Sequence, residues 1–318
     1  MLSLLLILVT RHTPVLNIIQ PCITMEDNLS LTEPITKEEL KQALFQMPPD
    51  KSPRSNRFNP AFFQKFWHLC GDDIFEAAKL WLERGYFPSS LNETNIYLIP
   101  KCENPDSMKD LGPYLCNVLY KMASKFLANR LKGCLDKCVS LEQSSFIEGR
   151  SIVDNALIAT ETIHAMKRKT KGWRGEITLK IDISKAYDCV DWGFLMGFLI
   201  RMGFDDKWIR WMMMCVSSVT YSVLMNFDRV SPINPGRGLW QGDPLSPNLF
   251  ILVAESLSTL IHQRLGEETS MVSVFIGGAP VVSHLLFPDD SFLFCRENVT
   301  EVNKLIQILH TYADETDP

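Results

Sequence analysis

Three aspartates carry the clearest chemical signal in this sequence of 318 residues. Asp182 ends the strand-like run ITLKIDI, and Asp289 and Asp290 are adjacent between two apolar runs in SHLLFPDDSFLF. Adjacent carboxylates repel each other, so a hairpin tip that presents both favours a bound cation. If the two segments are neighbouring strands, the three carboxylates meet at one sheet edge as hard oxygen ligands for divalent cations. An isolated Asp-Asp pair is more commonly just a solvated turn.

The chemistry that fits such an edge is phosphoryl transfer. Two divalent cations can activate an attacking hydroxyl and stabilise the leaving oxygen of an in-line displacement. Because the charge of the transferred group is spread over its oxygens, metal ions suit this reaction better than a histidine base. The three acids therefore predict a site for two Mg²⁺ or Mn²⁺ ions.

The elements that must position the acids begin at Glu176. ITLKIDI and TYSVLMNF predict strands, and residues 279–287 with residues 292–295 predict a hairpin whose tip carries the acid pair. The stretches SKAYDCVDWGFLMGFLIRMGF, LFILVAESLSTLIHQRL and VTEVNKLIQILHTYADE each predict one helix. This order predicts an α+β fold, with a sheet layered on helices.

The preceding half of the chain is predicted to be mainly helical. A helix signal starts at Thr36, and FFQKFWHLCGDDIFEAAKLWLERG predicts a second helix. NIYLIPK predicts a strand that ends at Lys101. LCNVLYKMASKFLANRLKGCLDKC predicts an amphipathic helix with its lysines and arginines on the face away from its leucines.

Composition and charge narrow the class of protein. The chain is 46% hydrophobic and has a net charge of −5, which is typical of a globular protein. Within it, residues 121–180 hold twelve Lys or Arg against six Asp or Glu. Such a basic segment suits a surface that binds phosphates, although a solvated helix end is the more common explanation. Nine cysteines without a CxxC pair indicate reduced thiols. The run MLSLLLILVT lacks a basic leader and is too short to span a bilayer.

Six stretches give the sequence a family resemblance. In order they are LIPK, LCNVLYKMASKFLANRLK, QSSFIEGRSIVDNALIA, LKIDISKAYDCVDWGFL, RGLWQGDPLSPNLF and SHLLFPDDSFLF. Together they resemble the reverse transcriptase of non-LTR (LINE-type) retrotransposons, of the sort abundant in plant genomes. The resemblance covers roughly residues 35–315, and the reverse transcriptase domain itself would occupy about residues 90–318.

The resemblance implies an RNA-directed DNA polymerase with a right-hand fold. Its ferredoxin-like palm sheet would pack on helices, with a poorly defined segment at residues 1–34, fingers at 35–174 and palm at 175–318. The expected partners are an RNA template, a DNA primer and deoxynucleoside triphosphates, with two Mg²⁺ or Mn²⁺ ions as cofactors and no membrane. The protein is expected inside the cell, in nucleus and cytoplasm, and not to be secreted.

The resemblance also implies roles for single residues. Asp182, Asp289 and Asp290 would hold the metals, and the carbonyl of Ile183 would complete a metal's ligand shell. Tyr187 falls where the family places an aromatic ring under the incoming sugar, which leaves no room for a 2′-hydroxyl. From the residues alone, a tyrosine at this position is as often part of the core.

Five further positions match the family's substrate and template contacts. Gln241 and Gly242 would contact the incoming nucleotide and the template, and Lys101 would reach the triphosphate. Arg150 and Asn155 resemble positions near the template path. For these two, a structural salt bridge or a helix cap is an equal alternative.

The sequence departs from the family pattern at four places. Gly112 stands where the family has an arginine, the glycine-rich loop reads KSPRSNR from Lys51 to Arg57, Trp240 replaces an arginine, and Pro288 replaces an alanine. Tight hairpin turns favour positive φ at the first central position, whereas proline is fixed near −65°. Pro288 is therefore expected either to displace the acids or to stiffen harmlessly a turn that allows negative φ.

These departures leave an alternative function open. The sequence ends at Pro318, so the thumb is expected to be absent. The alternative to an active polymerase is an inactive retrotransposon remnant that at most binds nucleic acid. An RNA-binding role like that of intron maturases ranks last, because it predicts a basic thumb and tail.

Overall fold

The computed structural model describes eleven stretches of the chain. They are residues 13–49, 58–97, 99–100, 111–112, 117–168, 175–183, 185–225, 228–229, 232–267, 282–288 and 290–316. Lys101, Asp289 and the loop from Lys51 to Arg57 lie outside these stretches.

The described chain contains both helices and strands, which confirms the predicted mixture of helix and sheet. The helices are α1 (Thr13–Leu16), α2 (Met25–Thr32), α3 (Lys37–Phe45), α4 (Pro60–Lys65), α5 (Trp67–Arg84), α6 (Val118–Cys138), α7 (Ile152–Arg168), α8 (Ala186–Cys189), α9 (Trp192–Met202), α10 (Asp206–Ser217), α11 (Ser246–Glu267) and α12 (Val299–Thr316). The strands are β1 (Glu93–Tyr97), β2 (Ile99–Pro100), β3 (Leu111–Gly112), β4 (Glu176–Asp182), β5 (Thr220–Met225), β6 (Asp228–Arg229), β7 (His284–Leu286) and β8 (Asp290–Arg296). None of the helices described is long and apolar enough to cross a membrane.

The chain divides into two compact units, each built from separate stretches of sequence. The first unit contains residues 1–27, 132–204 and 246–318, and the second contains residues 28–131 and 205–245. The predicted division into fingers and palm at residue 175 stays a prediction.

The sheet of the first unit is antiparallel and has the order β4-β8-β7. Strand β8 is central, and its register with β4 runs from Glu176↔Arg296 to Asp182↔Asp290. The prediction that the segment ending at Asp182 and the hairpin are neighbours in one sheet is therefore confirmed. Helix α11 supplies apolar side chains on many sides, including the fully buried Ile251 and Leu252, and a helix of that pattern belongs in a core.

Two predicted single helices are each divided in the structure. The segment after Asp182 forms α8 and then α9, because the Asp191 side chain accepts a hydrogen bond from the Phe194 amide at 2.7 Å and caps a new helix start. Residues 60–84 form α4 and α5, which are separated at Phe66 (φ −103°, ψ 20°). The prediction was wrong at these points because an apolar period continues across a break in backbone hydrogen bonding.

The second unit contains a mixed three-stranded sheet and a short ladder. Strand β5 pairs in parallel with β1 and antiparallel with β6, while β2 and β3 pair antiparallel, with Ile99 opposite Gly112. Helix α3 begins as predicted after Thr36, whose side chain and backbone exchange hydrogen bonds with Glu39 as a capping box.

Arg130 on α6 is covered by other parts of the second unit, which the helical pattern did not predict. Its side chain is only 9% exposed. The guanidinium binds both carboxylate oxygens of Glu39, at 2.8 and 3.1 Å. It also donates to the carbonyls of Leu31, Glu33 and Pro34, at 3.0, 2.7 and 3.2 Å. Burial opposes ionisation of Glu39, but hydrogen bonds from Arg130 and Thr36 hold the pKa of this carboxyl below its ordinary value.

Candidate active site

Asp182 and Asp290 face each other at the end of the first unit's sheet. Asp182 is the last residue of β4, Asp290 is the first residue of β8, and the two are register partners. Directly opposed residues of an antiparallel pair project from the same face, with Cβ atoms about 4.5–5.5 Å apart. The structure therefore brings together two of the three predicted acids. The third, Asp289, precedes β8 and lies outside the described residues.

Lys180 belongs to the same group of side chains, and the sequence reasoning missed it. It lies two residues before Asp182 on β4, so it projects from the same face of the sheet. Its Nζ lies 2.9 Å from Oδ1 of Asp290, and the side chains are 53% and 40% exposed. The hydrogen bond to Asp290 raises the pKa of Lys180. Strand periodicity was the signal that could have identified this lysine.

The hairpin between β7 and β8 forms with proline in its turn. The pair Leu286↔Ser291 is the last in the ladder, and the Phe287 amide donates to the Asp290 carbonyl at 2.8 Å. Pro288 is thus the first central residue of a tight turn, and it is not among the described residues with positive φ. This turn consequently differs from the primed hairpin types, which need positive φ there. Because the proline ring excludes positive φ in any turn, this geometry does not distinguish the two expectations for Pro288, and both stay predictions.

Tyr187 lies on α8, one turn beyond the acid of β4. Lys185 makes the connection between β4 and α8 with a left-handed backbone (φ 55°). The half-buried Tyr187 ring stacks on Phe250, with ring centres 4.7 Å apart and planes 17° apart. Asp182, Ile183 and Phe250 also line an apolar cavity of about 290 Å³. Phe250, which holds the Tyr187 ring by stacking, therefore also lines the cavity that Asp182 lines.

Gln241 and Gly242 form an exposed turn in the second unit. Gly242 has φ +89°, which a residue with a side chain adopts only with strain. The next residue, Asp243, is buried, and its carboxylate accepts from Ser124 Oγ at 2.6 Å and from the Leu245 amide at 3.0 Å. Asp243 thus fixes the loop that presents Gln241, and sequence reasoning had given it no role.

Trp240, one of the departures from the family pattern, is part of an aromatic core cluster in the second unit. The residue is buried, and its ring stacks on Tyr120 with centres 5.8 Å apart and planes 28° apart. It also meets Tyr221 edge to face at 6.1 Å. The substitution has therefore been absorbed by packing.

Arg150 has partners inside the first unit. Its guanidinium donates to the carbonyls of Val139 and Gln143, at 3.0 and 2.7 Å, and to that of Ser140. These contacts close the loop of residues 139–150 between α6 and α7. These hydrogen bonds to backbone carbonyls give Arg150 a structural role other than the expected salt bridge or cap, and a contact with template stays a prediction.

Asn155 is buried on the first turn of α7. Its side-chain amide donates to the carbonyls of Glu142 and Leu286, at 2.8 and 3.2 Å. Asn155 therefore joins the same loop to β7, and its proposed proximity to the template is likewise untested.

Comparison with known proteins gives the site its context. The family described as "Reverse transcriptase (RNA-dependent DNA polymerase)" matches residues 99–316, more than half of the chain. The chain is similar to a transposon TX1 149 kDa protein of Xenopus laevis, at 31% identity over 77% of this chain and 19% of the relative. It is also similar to Pol polyproteins of the R2 retrotransposable elements of Nasonia vitripennis and Drosophila melanogaster. Identity is 25% in both, over 84% and 68% of this chain and 24% and 19% of those proteins. The chain thus spans about a quarter or less of the length of these relatives.

Proposed function

Because the chain belongs to the reverse transcriptase family of non-LTR retrotransposons, we propose that it transfers nucleotides to a DNA primer on an RNA template. The substrates would be deoxynucleoside triphosphates, and the attacking group would be the 3′-hydroxyl of the primer. The observation that carries this proposal is the opposition of Asp182 and Asp290 across β4 and β8. Without that register, acids more than a hundred residues apart would have no common site.

The donor set at the edge fits divalent metal ions of the kind that reverse transcriptases use. Asp182 is exposed and Asp290 half-buried, so both carboxylates stay accessible while a β-ladder fixes their backbones. Hard oxygen donors of this type suit Mg²⁺ or Mn²⁺. With Asp289 and the Ile183 carbonyl, they would hold two ions, which when bound would activate the hydroxyl and stabilise the leaving oxygen.

The remaining roles follow from where the side chains lie. Tyr187, held flat against Phe250, would exclude a sugar with a 2′-hydroxyl. Gln241, exposed on the turn that Asp243 anchors, would contact the nucleotide beside Gly242, and Lys101 would bind the triphosphate. Residues 35–174 would form the fingers and residues 175–318 the palm. Such an enzyme would act in the nucleus and cytoplasm.

Primer extension on an RNA template tests the proposal. The chain is assayed with Mg²⁺ and with Mn²⁺, together with the variants Asp182→Asn and Asp290→Asn. We expect each variant to lose at least about 100-fold in rate, because a displacement of about 1 Å at a catalytic centre already costs that much. Asp314→Asn, an exposed acid on α12, is the matched control and should keep full activity.

Two outcomes would contradict the polymerase. If Asp182→Asn extends the primer as fast as the unchanged chain, the opposed acids are not the site. If neither the unchanged chain nor Pro288→Ala incorporates any nucleotide with either metal, even with a thumb supplied, the inactive remnant is the correct description. Binding of the primer–template without extension would then define what function remains.

A further inference from the structure

A second group of metal-ligating side chains lies in the first unit. It contains Glu142 from the loop of residues 139–150, His262 from α11 and His284 from the start of β7. One ligand atom from each of the three lies within 4.8 Å of the other two. None of these residues belongs to the candidate active site, and no local sequence motif joins them.

The separations suit a shared ion. Zinc bonds of about 2.1 Å at tetrahedral angles place neighbouring ligand atoms about 3.4 Å apart. Glu142 Oε1 and His262 Nε2 are already 3.3 Å apart. The ligand atom of His284 would need to approach by no more than about 1.4 Å, which small side-chain rotations can supply.

His284 is a buried side chain and not a surface charge. The residue is 0% exposed. Its Nε2 lies 2.8 Å from Ser258 Oγ, and its Nδ1 lies 2.8 Å from Ser283 Oγ. In metal-binding histidines, the ring nitrogen that does not bind the metal is characteristically fixed by a hydrogen bond. Either serine can make this bond, while the hydrogen bond from the other serine is replaced by the metal.

A buried polar network supports this ring from behind. Ser258 Oγ lies 2.8 Å from Ser140 Oγ. Ser140 in turn donates through both its amide and its hydroxyl to Glu255 Oε2, each at 3.0 Å. Burial raises the pKa of Glu255 to about 7. Such a second layer of hydrogen bonds is the usual support of a metal site.

The third ligand is fixed through its backbone. The Glu142 carbonyl accepts from the Leu286 amide at 2.9 Å and from Asn155 Nδ2 at 2.8 Å. The same strand, β7, therefore carries His284 at its start and holds Glu142 at its end. The Glu142 carboxylate lies within hydrogen-bonding distance of His262 Nε2, at 3.3 Å.

We propose that Glu142, His262 and His284 form a zinc site that ties the loop of residues 139–150 to β7 and α11. Two imidazoles and one carboxylate are a zinc donor set, and nitrogen ligands disfavour Mg²⁺. Three protein ligands leave one coordination position for water. The bound zinc braces the three-residue strand that leads into the turn at Pro288. This assignment is independent of the proposed polymerase activity.

Calorimetric titration with ZnCl₂ tests the site. The protein for this titration is prepared without an affinity tag, and excess MgCl₂ is added to fill sites that offer only oxygen ligands. We expect one zinc per chain and a zinc-dependent rise in melting temperature. His262→Ala and Glu142→Gln change accessible side chains and are expected to fold; each should weaken zinc binding more than about 100-fold, beyond the 10- to 100-fold typical of supporting residues. His310→Ala, an exposed histidine on α12, should bind as the unchanged chain does.

Cobalt(II) gives a second readout, because its visible absorption reports four-coordinate geometry. The absorption should appear in the unchanged chain and vanish in His262→Ala. The proposal is overturned if the unchanged chain binds no zinc, or if His262→Ala and Glu142→Gln bind it equally well. It is also overturned if binding is lost in Asp290→Asn and kept in His262→Ala, since the zinc would then occupy the acid pair.

Discussion

We expect Lys180 to compete with a divalent cation for the carboxylate of Asp290. Its ammonium group lies 2.9 Å from Oδ1 of that side chain, on the face that carries Asp182. A cation that binds Asp290 must displace this ion pair or share the carboxylate with it. Lys180→Met keeps the length of the side chain and removes the charge, and we expect it to bind Mn²⁺ more tightly.

The size of the gain follows from the exposure of the pair. The side chains are 53% and 40% exposed, so solvent screens the interaction and places it in the range of surface pairs. Such exposed pairs are weak, so the dissociation constant for Mn²⁺ should fall by no more than about 5-fold. The gain should shrink as salt rises, because the Debye length falls from about 10 Å at 0.1 M to about 3 Å at 1 M.

Electron paramagnetic resonance of free Mn²⁺ measures this binding directly at several salt concentrations. Lys167→Met, which removes an exposed lysine from α7, controls for the change in net charge. Asp290→Asn in the Lys180→Met background should abolish the gain. Weaker Mn²⁺ binding by Lys180→Met, or an equal gain in Lys167→Met, would refute the competition.

Three further predictions concern the supports of the two units. Arg130→Ala should lower the free energy of unfolding, measured in urea, by about 3 kcal/mol. This is the low end for a broken buried ion pair, because the Glu39 side chain is 32% exposed. The control Lys132→Ala, which changes an exposed residue nearby on the same helix, should change this free energy by less than about 0.5 kcal/mol. Because the pKa of Glu39 is lowered, its ionised carboxylate stabilises the fold above pH 4.5, and this stabilisation is lost as pH falls through the pKa in the folded state. The difference in unfolding free energy between the unchanged chain and Arg130→Ala should therefore narrow below pH 4.5. A difference that stays constant with pH would contradict this. Arg150→Ala should speed hydrogen exchange of the Leu286 amide, which donates to the Glu142 carbonyl, while Arg168→Ala should leave it unchanged. Equal exchange in the two variants would show that Arg150 does not hold the loop.

The acid-bearing sheet could be anticipated from sequence because its signals are local and strong. Strand β4 is a short apolar run that ends at Asp182, β8 is one that begins at Asp290, and only one pairing opposes the two acids. Helix ends were harder to predict. In the sequence, Asp191 is one acid within a continuous apolar helical pattern, and nothing local marks it as a helix cap. Only the hydrogen bond that it accepts from the Phe194 amide shows that a new helix begins there.

The side-chain partners that come from distant sequence could not be predicted. Arg130 sits on the polar side of its own helix, but residues 31–39 fold over it and supply its acceptors. Periodicity describes one helix and carries no information about what covers that helix. Glu142, His262 and His284 are likewise joined only by the tertiary fold.

The aromatic setting of Trp240 makes an arginine at this position costly. A guanidinium there would enter a site that is only 8% exposed and lined by Tyr120 and Tyr221. It would bury a charge against two aromatic rings and would give up the stacking energy. An arginine could therefore be accommodated here only if the neighbouring aromatic residues changed with it, so the three rings must be altered as one group.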